Sequence, residues 1–207
     1  MKITLIGDSI RIQYMNKVAE LLGEKFEIFS PTENCRFAKY NLRGMWDWKN
    51  DMQGSRIVHW NCGLWDICDI FGDGMFTSVE EYTETVLRIA DILLSRHEKV
   101  IFATTTPVRY DNPYNDNEEI KKYNAAIVPK LREKGVIIND LHPLIYKDVN
   151  TLVCDDLIHL SDEGVDICAR KVAEAILEAA KDLGESEITD CTSASDKLGA
   201  PVEFVGQ

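Results

Sequence analysis

Lys2-Ile3-Thr4-Leu5-Ile6-Gly7-Asp8-Ser9 is the stretch from which the fold is read. Five residues rich in β-branched and aliphatic side chains, with no polar alternation, predict a strand buried on both faces. Gly7-Asp8-Ser9 predicts a tight turn, and a helical pattern runs from about Arg11 to Leu22. Strand, turn and helix in that order are the opening of a βαβ unit.

The same alternation continues along the chain. Phe26–Phe29 reads as a second strand, and a helix follows over Ala38–Asn50 after the Pro31–Arg36 loop. Arg56–Trp60 is the third strand. Ser78-Val79-Glu80-Glu81 has the S-x-x-E form of a capping box and opens a helix whose apolar residues recur at three and four. Val100–Ala103 is a fourth strand, leading into Thr104-Thr105-Thr106-Pro107. A helix over Asn117–Glu133 precedes a fifth strand, Val136–Ile138, and Ser161 with Asp162 and Glu163 predicts the start of the last helix. Five strands separated by helices predict a parallel sheet covered on both faces, an α/β three-layer α/β/α sandwich of flavodoxin-like type. The expected organisation is one domain over residues 1–183 and a polar tail over 184–207, whose Val202–Val205 run is a candidate for docking on the body.

Composition narrows the function classes. The 207 residues are 45% hydrophobic, ordinary for a globular chain, and 35 Asp plus Glu against 23 Lys plus Arg give a net charge of −12. A surface this acidic repels phosphate backbones, so neither nucleic acid nor an anionic membrane is expected as partner. The first apolar run is too short for a signal-peptide core and no membrane span is present, which predicts a cytoplasmic protein. Six cysteines without a CxxC pair predict reduced, mostly buried thiols. G-x-G-x-x-G after the first strand, G-x-x-x-x-G-K-[ST], H-E-x-x-H and the G-x-S-x-G elbow are all missing, and no metal-ligand spacing or cofactor motif is found.

In a parallel sheet, sites form at the carboxyl ends of the strands. Ser9 stands after the first strand, Asn61 after the third, and Asp156 and His159 after the fifth. A serine needs a base to take its proton, and the base needs a carboxylate to hold its tautomer. Asp156, three before His159, can meet Nδ1 and leave Nε2 facing Ser9. Each piece has a plainer reading: Gly-Asp-Ser as turn and helix cap, Asn61 as an Asx-turn residue, Asp-x-x-His as a surface ion pair. Their conjunction on one sheet edge favours catalysis.

These residues also resemble a known family, the SGNH/GDSL hydrolases, over most of the chain up to about Leu183. Ile6-Gly7-Asp8-Ser9 matches the first block, and Asp156-Leu157-Ile158-His159 with the following Ser161–Gly164 looks like the last. Thr105-Thr106-Pro107 and Tyr123-Asn124 resemble further common segments. The third block departs from G-x-N-D: Asn61-Cys62-Gly63-Leu64-Trp65-Asp66 resembles an N-x-G-L-x-D variant. The resemblance implies a catalytic triad of Ser9, His159 and Asp156, with an oxyanion hole from the Ser9 N–H, the Asn61 side chain and a second backbone N–H. The second block lacks its glycine, so that donor is assigned to Cys35, with Arg36 and Gly44 as alternatives.

Trp60 and Trp65 flank Asn61 and are candidates to wall a substrate pocket, with core packing an equal reading. Arg109 and Tyr110, after the fourth strand, stand where a substrate-recognition loop is expected. His59 is expected as a packed core residue, His142 as part of a turn beside Pro143, and His97 at a helix C-terminus where the dipole favours a cation. Asp66 is read either as orienting His59 or binding substrate, or as a loop cap. The predicted function is a metal-independent serine esterase working on a small-molecule ester without a cofactor, with an O-acetylated carbohydrate as the substrate class by analogy. The alternatives are an acyltransferase on the same triad and a non-catalytic carbohydrate-binding module.

Overall fold

The computed structural model describes residues 1–184. Five parallel strands form one sheet: β1 (Lys2–Ile6), β2 (Glu27–Phe29), β3 (Ile57–Trp60), β4 (Lys99–Ala103) and β5 (Ile137–Asn139), in the order β2-β1-β3-β4-β5. β1 and β3 pair at the centre, Leu5 opposite His59 and Ile6 opposite Trp60. Seven helices connect and cover them: α1 (Ser9–Leu22), α2 (Ala38–Asp47), α3 (Val79–Leu94), α4 (Asn117–Glu133), α5 (His142–Tyr146), α6 (Val149–Leu152) and α7 (Asp162–Lys181). α1 packs on α7 across one face of the sheet, while α2, α3 and α4 pack in sequence on the other.

The helix starts follow from local chemistry. Ser78 Oγ accepts the Glu81 N–H at 3.2 Å, while the Glu81 carboxylate pairs with Lys39 rather than closing the box. Ser161 Oγ accepts the Gly164 N–H at 3.2 Å, and Asp116 caps α4 through the N–H groups of Glu118 and Glu119. α2 begins at Phe37, which has no capping side chain; Asp66 supplies the acceptor from the loop after β3, taking the Ala38 N–H at 2.9 Å.

Three expectations change. α1 begins at Ser9, two residues before Arg11, because Asp8 caps it. α2 ends at Asp47 rather than Asn50. The Asp140–Pro143 segment opens the short helix α5, where proline near the first position is tolerated because its missing N–H has no helical partner. The expected tail lies outside the described residues except Gly184, as does the Val202–Val205 run. Among the described residues, no helix is long and apolar enough to cross a membrane.

Candidate active site at the carboxyl edge of the sheet

The turn after β1 is built around a buried carboxylate. Asp8 is the N-cap of α1 and accepts the Ile10 N–H at 3.0 Å, so Ser9 becomes the first helical residue and its N–H belongs to the positive end of the helix. Gly7 has to be glycine because a Cβ there would lie 2.0 Å from Asn61 Oδ1. Asn61 packs on it instead, its N–H donated to Ile6 O at 3.1 Å and its Nδ2 to Asp8 Oδ1 at 2.8 Å. One of the two Nδ2 hydrogens is thereby used, and the other has no partner among the described residues. Burial pushes the Asp8 carboxyl up, against the Asn61 and Ile10 hydrogen bonds and the charges of Arg11 and His159, which favour its ionised form.

Arg11, one turn into α1, is wholly buried. Its guanidinium donates to three carbonyls, Gly7 at 3.1 Å, Pro31 at 2.8 Å and Glu33 at 2.6 Å, and to Ser30 Oγ at 3.0 Å. It ties the loop after β2 to the serine turn.

The turn before α7 is built differently. His159 Nδ1 and Asp156 Oδ2 are 2.7 Å apart, and Asp156 Oδ1 accepts the N–H groups of His159 at 2.9 Å and Ile158 at 3.1 Å. Burial raises the Asp156 carboxyl, but these hydrogen bonds and the His159 ring outweigh it and hold the group below the ordinary carboxylate range. Leu157, between the pair, has φ of 73°, a left-handed conformation that costs a branched residue free energy. Its carbonyl accepts from the Arg109 N–H at 3.0 Å and Asn112 Nδ2 at 3.2 Å, which holds the turn in that shape. The side chains of His159 and Asp156 are 36% and 50% exposed, so the pair is open to solvent.

Sequence and structure disagree at two candidate positions, Cys35 and Trp60, and a third, Arg109, has a contact of its own. The Cys35 N–H is donated to Gly7 O at 3.1 Å and is not free as an oxyanion donor. The alternative at Arg36 is engaged too, by Asn34 Oδ1 at 2.9 Å, and Gly44 lies inside α2 against the Trp48 ring. Trp60 is fully buried, its ring centroid 4.8 Å from that of Phe102, so it fills the core rather than walling a pocket. Arg109 pairs with Asp155 at 2.9 Å and braces the Leu157 turn. Its position is explained by that contact.

Trp65 does stand at the surface, with the Arg36 guanidinium 5.9 Å above its ring and Phe37 edge-on at 5.6 Å. A groove of about 390 Å³ beside it is lined by Phe37, Tyr40, Phe76 and Glu81 among others; a second, of about 420 Å³, lies between Asp69, Arg109 and Tyr114. Neither is lined by Ser9 or His159.

The remaining histidines are structural. His59 is buried, its Nε2 accepts from Asn139 Nδ2 at 3.1 Å, and desolvation lowers its pKa to about 3. His97 was expected to be favoured as a cation, yet burial holds it below the ordinary range while Nδ1 meets Ser55 O at 2.7 Å. His142 stacks on Tyr146 at 5.2 Å. Asp66 does not orient His59: its carboxylate takes the Ala38 N–H and the Thr77 hydroxyl, and burial pushes it up to about 6.

Sequence reasoning missed Arg11 and Asn112. An arginine two residues beyond Gly-Asp-Ser, on the apolar face of α1, is a signal in hindsight, since an unpaired guanidinium there needs acceptors. Thr105 and Asn124, quoted for their resemblance, join directly: Thr105 N–H donates to Asn124 Oδ1 and Asn124 Nδ2 to Thr105 O, both at 3.0 Å. Gly63 lets Thr105 approach, since a Cβ there would lie 2.2 Å from Thr105 Oγ1.

No protein-family model and no curated protein matches the sequence. The structure, by contrast, is similar to solved esterase folds. A GDSL-like lipase from Bacteroides thetaiotaomicron superposes with a TM-score of 0.69 at 17% identity, over 86% of this chain and 88% of that one. A lipase/acylhydrolase from Enterococcus faecalis gives 0.71 at 16%, over 84% and 94%. The acetylxylan esterase Axe2 from Geobacillus stearothermophilus gives 0.69 at 18%, over 84% and 93%. At these identities the likeness is one of fold.

Proposed function

We propose that this chain is a serine esterase of the SGNH/GDSL type, cleaving a small acyl ester through an acyl-enzyme. The observation that carries the proposal is the 2.7 Å contact of His159 Nδ1 with Asp156, on a turn whose next residue, Leu160, is hydrogen-bonded to Gln13 of the helix that begins at Ser9. Further support is the shared fold of lipases and an acetylxylan esterase.

In this reading Ser9 Oγ attacks the ester carbonyl while His159 Nε2 takes its proton, and Asp156 steadies the imidazolium. The carbonyl oxygen gains negative charge next to the Ser9 N–H and the second Asn61 Nδ2 hydrogen, both of which then donate to it. His159 returns the proton to the leaving alcohol, and the acyl group stays on Ser9. Water, deprotonated by His159, attacks the acyl carbon and releases the acid.

The solvent exposure of the His159–Asp156 pair suits a small acyl group on a bulky alcohol, because a long acyl chain needs an enclosed apolar channel. An O-acetylated carbohydrate is therefore the first substrate class, with Trp65 as a surface for the sugar. The same exposure lets an acceptor alcohol replace water, which makes acyl transfer the second reading.

A serine-directed fluorophosphonate tests the proposal. Labelling of the wild type, lost in Ser9→Ala and in His159→Ala, supports it; a folded wild type that takes no label overturns it in favour of a non-catalytic module. Release of acetate from an acetylated xylo-oligosaccharide, with and without an added alcohol, then separates hydrolysis from transfer.

A further inference from the structure

Gln13 stands one helical turn after Ser9, on the same face of α1. Its side-chain amide takes hold of a single residue, Leu160, by both backbone groups: Leu160 N–H donates to Oε1 at 3.0 Å and Nε2 donates to Leu160 O at 3.0 Å. Leu160 is the residue after His159.

The local backbone explains why those two groups are available. Val153 and Leu160 form an isolated antiparallel bridge, closed by Cys154 N–H to His159 O at 2.7 Å and Ser161 N–H to Leu152 O at 3.0 Å. Those bonds come from the residues flanking Leu160. In such a non-hydrogen-bonded pair, the N–H and C=O of Leu160 point away from Val153, toward an empty strand position. The Gln13 amide occupies that position as a peptide group would. Two other amides at this sheet edge grip one residue in the same way, Asn124 on Thr105 and Asn117 on Val108, but both join the loop after β4 to α4. Gln13 is the one of the three that joins the helix of Ser9 to the turn of His159.

From this geometry we infer that Gln13 is a positioning residue that sets the register of His159 on Ser9. This rests on the esterase reading above. Ser9 is fixed at the start of α1 and His159 at the end of its hairpin, so two hydrogen bonds from a residue four positions after one to the residue next to the other fix their separation. Lys17, one turn further along the same face, pairs with Asp166 at the start of α7. It joins α1 to α7 itself rather than to the turn of His159, and so separates helix docking from histidine register. A serine and its base lose rate steeply when displaced by as little as 1 Å.

The test is the rate constant of fluorophosphonate labelling, followed across pH. Gln13→Ala should label about 10- to 100-fold more slowly than wild type, consistent with loss of near-attack geometry. Its pH profile should lose the plateau set by a titrating base and climb with hydroxide instead. Gln13→Glu keeps the acceptor for Leu160 N–H but sets a carboxylate oxygen against Leu160 O, and should be slowed as well. Lys17→Met should label at the wild-type rate with the wild-type profile. Wild-type labelling kinetics in a folded Gln13→Ala and Gln13→Glu overturn the role of Gln13 alone. A Lys17→Met protein slowed as much as Gln13→Ala also overturns it, since helix docking would then be the cause. A wild type that takes no label overturns the esterase reading and this inference together.

Discussion

The turn that carries Ser9 and the turn that carries His159 are joined through Gln13 and Leu160, and their carboxylates are held in opposite ways. Asp8 is 1% exposed, has one oxygen without a hydrogen-bond partner, and is pushed up by burial. Asp156 is half-exposed, accepts two backbone N–H groups and meets the His159 ring, and is held low. The first turn takes its shape from the interior, through Arg11, Gly7 and Asn61. The second takes it from hydrogen bonds made at the surface, through Arg109, Asn112 and Gln13. The lesson is a division of labour: removing a support of the first turn should unfold, and removing a support of the second should misplace a side chain while the fold survives.

The largest effect should fall on the exposed turn. Asp156→Asn keeps an acceptor for the two backbone N–H groups but presents the wrong imidazole tautomer, so turnover of an activated acetate ester should drop about 10⁴-fold with little change in melting temperature. Activity near the wild-type level would remove Asp156 from the site and make Asp155 the next carboxylate to replace.

Next comes the buried turn. Arg11→Met leaves the carbonyls of Gly7, Pro31 and Glu33 without their donor, and urea denaturation should register a loss of about 3–5 kcal/mol. An unchanged denaturation midpoint would break the contrast between the two turns. Asn61→Ala belongs to both sides: a kcat lower by about 10²–10³-fold reports the oxyanion contact, whereas a change confined to KM points to ground-state binding.

A pH comparison sharpens the picture of the interior. His59 is lowered to about 3, so the unfolded chain takes up a proton below its ordinary value of 6.5 that the folded chain refuses. Its contribution is full above that value and is lost as pH falls toward 3. Asp66 is raised to about 6 from 3.8, so the folded chain binds a proton that the unfolded chain releases, and its contribution grows as pH falls through that window. Between pH ~4 and ~6 the two slopes oppose each other at about 1.4 kcal/mol per pH unit each. Relative to wild type, His59→Gln should gain stability by about 3 kcal/mol from pH ~6 to ~4, and Asp66→Asn should lose as much. Denaturation curves with the same pH dependence in all three proteins would contradict both assignments.

The smallest effect is expected at Arg109→Ala. Its ion pair with the fully exposed Asp155 adds little to stability. The N–H that holds the Leu157 carbonyl is backbone and survives the substitution, so only the Asp155 contact is lost and turnover should stay within about 10-fold of wild type. A melting temperature lowered as far as that of Arg11→Met would erase the distinction drawn between the two turns.

Much of this was legible in the residues because it is local. The buried run Lys2–Ile6, the capping serines at 78 and 161 and the order of strands and helices each depend on neighbours within a few positions. Element order alone then brings the carboxyl ends of β1 and β3 and the start of α7 to one edge, which is why Ser9, Asn61, Asp156 and His159 could be picked out together. Trp60 was left between pocket wall and core, and Cys35 was misread, because composition near a site says nothing about which way a side chain or an N–H points. Pairing of β3 between β1 and β4 turns Trp60 onto Phe102, and the Gly7 carbonyl claims the Cys35 N–H.

The sequence by itself determined the alternation, the sheet and the set of candidate residues, since hydrophobic period and capping chemistry act over one turn or one strand. Only the tertiary structure decided how those residues are held: Arg11 reaching Pro31 and Glu33, Asp66 capping a helix 28 positions away, Gln13 gripping Leu160 across 147. Such contacts join groups that are remote in the chain. A polar side chain's partner is whatever unsatisfied N–H or C=O the packed layers bring within about 3 Å, and no local pattern encodes that distance.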